Sequence, residues 1–178
     1  MELIVVGFQG RYRAAQVLTE LRQRGMRLFD LNQAITVSWE DRRNFIVQQS
    51  VNLSREEGSR WARLWGAFIK ATLFQPFTET LTRAANRLAS RNDSDIAESF
   101  PAVLGRDWWV IEVGIPAEFV RDVGALVRPG ESAIITLAEQ FEPKGSISIL
   151  RNFGGSVVYT SLDSDQMKKV DAVLAAGD

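Results

Sequence analysis

The sequence predicts an α+β fold: a ferredoxin-like split βαβ antiparallel sheet with an inserted helical region. Three observations carry this reading. Residues 1–39 and 131–162 each run strand, amphipathic helix, strand, so each can form a right-handed crossover unit. Interleaved, two such units give a four-stranded antiparallel sheet with both helices on one face. The segment between them is dominated by helical periodicity. The chain is therefore read as a single domain over 1–178, with 1–53 and 129–178 as the core and 54–128 as the insertion. A doubly wound parallel sheet is the alternative, but the hairpin and helical block break its required alternation.

Leu3–Phe8 is a continuous β-branched and aromatic run, as expected of a strand buried on both faces. Arg11–Arg24 carries Ala14, Val17, Leu18 and Leu21 at the i, i+3, i+4 spacing of an amphipathic helix, and Gly25 suits its C′ position. Ala34–Trp39 is the next strand. Glu40-Asp41-Arg42-Arg43 is a polar turn, and Asn44–Leu53 returns as the second arm of a hairpin.

Ser54 and Glu57 form a capping box that opens a helix with Trp61, Leu64, Trp65, Phe68 and Thr72 on one side. Arg60, Arg63 and Lys70 lie on the other. Past Pro76, a second helix over about 77–91 has Leu81, Ala84, Ala85 and Leu88 inward, flanked by Arg83, Arg87 and Arg91. After Asn92–Asp95 comes a short helix at 96–104, weakened by Pro101. Trp108-Trp109-Val110-Ile111 is apolar and fits strand or helix. Pro116 is expected at N1 of a helix with Phe119, Val120, Val123 and Val127 inward, ended by Arg128-Pro129-Gly130.

Ala133–Ala138 is an apolar strand. A helix starting near Pro143 is expected to bury Ile147, Leu150 and Phe153, although Gly145, Ser146 and Ser148 are weak helix formers. Gly154-Gly155 turns the chain into Val157–Thr160. Asp163–Gln166 caps a last helix with Met167, Val170, Val173 and Leu174 inward.

Composition excludes several chemistries. The chain has no Cys and no His, so thiolate and imidazole chemistry, as nucleophile, base or ligand, is absent. Net charge is −1, so no global field draws the chain to nucleic acid, and none is expected as a partner. Met1–Val6 has an acid at position 2 and no basic start, so a signal peptide is not expected. No apolar run reaches the roughly 20 residues of a membrane span. The expected location is cytoplasmic, with peripheral attachment to the inner membrane as the alternative.

Several stretches together resemble a known family: ELIVVGF at 2–8, AAQVLTELR at 14–22, QSVNLS at 49–54, GALVRPGESAIITL at 124–137 and ILRNFGGSVVYTSLDSDQ at 149–166. In order and spacing they are similar to the bacterial domain of unknown function 1269, often labelled "predicted membrane protein". The resemblance covers roughly 1–54 and 114–178. The family usually carries a Gly- and Ala-rich apolar hairpin between these parts. Here 54–113 holds just three glycines and many charges. The resemblance implies no catalytic residues.

Candidate sites are few. Residues 54–91 hold seven basic residues against three acidic, and 92–113 hold five acids against one Arg. Arg60, Arg63, Lys70, Arg83, Arg87 and Arg91 form a basic face suited to anionic lipid. Amphipathic helices more often turn their apolar side to a core, with the charges solvating the outside. Trp61, Leu64, Trp65, Phe68, Trp108 and Trp109 are the candidate interaction residues, and the four tryptophans among them fit an interface or an intrachain core equally well. Gly7-Phe8-Gln9-Gly10 sits where a dinucleotide fingerprint would, yet lacks its third glycine; a tight turn explains it. Glu56/Glu57, Asp93/Asp95 and Asp163/Asp165 fit helix caps better than a cation site.

No catalytic residue, cofactor or metal is therefore expected. The expectation is a non-enzymatic interaction or assembly protein that self-associates into a homo-oligomer through its inserted helices. The alternatives are a peripheral protein on an anionic membrane surface, and a small-molecule-binding or enzymatic ferredoxin-like domain.

Overall fold

The apolar run near the start forms β1 (Glu2–Phe8), and it lies inside the sheet with a strand on each side. The computed structural model describes residues 1–29, 34–41, 44–49, 68 and 113–175. After β1 come α1 (Arg13–Gln23), β2 (Ile35–Asp41) and β3 (Asn44–Gln49). Then follow α2 (Ala117–Leu126), β4 (Ser132–Ala138), α3 (Pro143–Asn152), β5 (Gly155–Ser161) and α4 (Ser164–Ala175).

The described strands form one five-stranded sheet in the order β3-β2-β4-β1-β5, and every neighbouring pair is antiparallel. This makes the fold α+β and overturns the doubly wound parallel alternative. The two strand–helix–strand units interleave: β4 lies between β1 and β2, and β1 lies between β4 and β5. All seven β4 residues and six of the seven in β1 are buried, which explains their continuous apolar runs.

Two helix layers cover the sheet. On the first face, Ile4, Val6 and Phe8 pack against Ala14, Val17, Leu18 and Leu21 of α1 and Leu150 of α3. Helix α1 ends in a Schellman motif: Met26 N–H donates to Leu21 O (3.0 Å) and Gly25 N–H to Arg22 O (3.0 Å), with Gly25 at φ 62°. At α3 the Glu142 carboxylate accepts the Lys144 N–H (3.1 Å) and the Gly145 N–H. Ile147 is not inward as expected. The position one residue earlier faces the core, so Ser146 is buried there, 3.4 Å from Leu28 O, and Ile147 is half-buried at the side. Ile149 and Phe153 pack at the rim of the cluster.

On the second face, Leu3, Val5, Ile35, Val37, Ala133, Ile135 and Leu137 lie under Phe119, Val120 and Val123 of α2 and Val170 of α4. Pro116 is the N-cap of α2 and not N1, since its own carbonyl receives Val120 N–H at 3.1 Å. Val113, Ile115 and Val127, which flank α2, belong to this same cluster. The seat is close. A Cβ on Gly7 would lie 2.6 Å from Leu126 Cγ and 2.9 Å from Leu126 O. Helix α4 opens with a reciprocal capping box. The Asp163 carboxylate accepts the Gln166 N–H at 2.8 Å, and Gln166 Oε1 accepts the Asp163 N–H at 2.9 Å.

Candidate interaction surface

Phe68 is the one residue of the expected aromatic stripe that lies among the described residues. It is fully buried in its own chain, and its ring stands 6.3 Å from that of Phe119 on α2. Phe68 thus reaches the second face of the sheet. Trp61, Leu64, Trp65, Trp108 and Trp109 lie outside the described residues, as do Arg60, Arg63, Lys70, Arg83, Arg87 and Arg91.

The turn after β1 binds its own sheet. Gly10 has φ 95°, and α1 has no capping side chain at Tyr12. Ser132 on β4 supplies the cap: its Oγ accepts the Ala14 N–H at 3.0 Å and donates to Gly10 O at 2.7 Å. Ser38 on β2 donates to Arg11 O at 2.7 Å, and Arg11 pairs with Glu40 at 3.3 Å. This polar seam ties the turn after Gly10 to β2 and β4. Half-buried on α1, Arg22 has its guanidinium pKa drawn below the ordinary value by desolvation.

An open depression of about 690 Å³ runs along α1, lined by Ala15, Gln16, Thr19, Glu20, Gln23 and Arg24. No group of three or more acidic residues that could hold a metal ion occurs among the described residues. Asp163 is occupied in capping, and Asp165 pairs with Lys168 at 2.8 Å.

The other notable surface is β5, the edge strand beside β1. Its register against β1 runs unbroken from Glu2↔Ser161 to Phe8↔Gly155. Leu162 N–H donates to Met1 O at 2.7 Å. Strand period two then turns the main-chain groups of Thr160, Val158 and Ser156 toward β1, and those of Ser161, Tyr159 and Val157 outward. None of these outward groups has a backbone partner among the described residues. Tyr159 is 42% exposed and stands edge-on to Phe141 at 5.3 Å. The sequence marked this strand, but its edge position follows from the strand order, which the composition of Val157–Thr160 alone does not disclose.

Residues 59–175, more than half of the chain, match the family model described as "Protein of unknown function (DUF1269)". The chain belongs to this family. The DUF1269 match begins after 1–54, where part of the resemblance was expected, and takes in the segment before α2. Searches of curated proteins and of solved structures found no match. Among the described residues of this DUF1269 chain, no helix is long and apolar enough to cross a membrane.

Proposed function

We propose that the protein is a non-enzymatic interaction and assembly protein that self-associates, and that its fold is of the ferredoxin-like class. The order β2-β4-β1-β5, with α1 and α3 on one face, supports the fold assignment. One observation carries the function: the second face of the sheet is already covered. Phe68, Phe119, Val120, Val123 and Val170 close over it. The segment 54–113 brings four further tryptophans, each with about 150–250 Å² of surface to bury. Clustered aromatic side chains of this size are enriched at interfaces. Sedimentation across a concentration series tests this: a reversible dimer or higher oligomer is expected, and a strict monomer at high concentration overturns it.

A second reading rests on the basic excess of 54–91. Arg60, Arg63, Lys70, Arg83, Arg87 and Arg91 suit an anionic lipid surface. It predicts salt-sensitive flotation with anionic vesicles, lost on Arg60→Glu with Arg63→Glu; no binding at low salt removes it.

A further inference from the structure

We propose that β5 pairs antiparallel with β5 of a second copy about a two-fold axis at Val158, joining two five-stranded sheets into one of ten strands. This rests on the self-association reading and adds to it a contact separate from the tryptophans of 54–113.

The first ground is the free edge. The outward main-chain groups of Val157, Tyr159 and Ser161 have no backbone partner among the described residues, on a strand that is regular along its length. A two-fold at Val158 sets Val157 opposite Tyr159 of the second copy, and Gly155 opposite Ser161. These are the outward-facing residues, so each such pair can exchange both of its main-chain hydrogen bonds. Val158 then meets its own copy at a non-hydrogen-bonded position, where side chains approach closest. Val157 and Tyr159 form an aromatic–β-branched cross-strand pair on the other face.

The second ground is that this edge is undefended. Exposed edges are ordinarily blocked by charge, proline or a bulge. The stretch GSVVYTS has no charge and no proline, and no register shift interrupts it. The opposite edge is different. The β2–β3 pairing is irregular between Trp39 and Asp41, and Arg42-Arg43 lies between the two strands in the sequence.

The third ground identifies the occupant as another copy, and sets its direction. The Gly155 end of β5 is basic: Arg151 is in the last turn of α3, and Arg13 Nη2 donates to Phe153 O at 3.3 Å. At the Ser161 end the acidic group is Glu2, whose carboxylate accepts Ser161 Oγ–H at 2.8 Å, while Asp163 is engaged in its cap and Asp165 with Lys168. Antiparallel self-pairing lays each basic end against the other copy's acidic end. Parallel pairing would set like against like. Such rim charges fix orientation and add salt dependence more than affinity.

The test uses sedimentation equilibrium on the full chain. Ser156 and Thr160 face each other across the proposed axis, and Ser156 is exposed. The wild type is expected to dimerise. Ser156→Lys with Thr160→Lys places like charges opposite twice, and should raise the dimer dissociation constant by roughly tenfold or more. Ser156→Lys with Thr160→Glu makes both pairs attractive and should restore the dimer, so loss of folding cannot mimic the result. A wild-type monomer overturns both self-association and this contact. An oligomer unmoved by the double lysine variant overturns the edge contact and leaves self-association standing. Failure of the Lys/Glu variant to dimerise also overturns it.

Discussion

Ser132 shows how one hydroxyl joins elements far apart in sequence. It is fully buried, caps α1 at Ala14 and donates to Gly10 O. Ser132→Ala leaves both partners without it in a dry site. Urea unfolding should register a loss of about 1–3 kcal/mol, with the slope unchanged. The cap joins residues 118 apart in sequence, so no local pattern could disclose it. The capping box of α4 was legible, because Asp163 and Gln166 are three residues apart and the bond pattern is local. Gly25 was legible for the same reason: the αL residue directly follows the amphipathic stripe it ends.

At the scale of elements, Gly7 governs how closely α2 approaches the sheet. Gly7→Ala would drive a methyl into Leu126 Cγ and into the Leu126 carbonyl. The expected cost is about 1–3 kcal/mol by thermal or urea unfolding. Adding Leu126→Ala should recover just part of it, because the carbonyl stays in place; full recovery would show that the side chain alone sets the spacing. Strand and helix types were legible from period and run length along the described parts of 1–49 and along 113–175. Two details were not. Pro116 is the N-cap of α2, so the helix starts one residue later than expected, since proline's fixed φ serves either position. Ser146, not Ile147, faces the core of α3, because helix phase follows the Glu142 cap and not hydrophobicity alone.

At the scale of the molecule, the interleaving of the two terminal units could be read from their repeated strand–helix–strand plan, and the antiparallel order followed. The second helical layer could not. Helix α2 is amphipathic whether it covers this sheet or another surface, and its pattern names no partner. The edge position of β5 was hidden for a related reason: an uncharged β-rich run reads alike at the centre and the margin of a sheet. The central place of β1 carries one further consequence, for synthesis. Its neighbours on both sides, β4 and β5, are made long after it; Phe8 must wait for Ser132 and Gly155. At about 5–20 residues per second, that delay is roughly 6–25 s on the ribosome before the first of them exists. During that interval a greasy ribbon of seven residues leaves the exit tunnel with no mate. Nascent chains of this protein should therefore engage holdase chaperones early, and release them once the stretch through Ser161 has emerged.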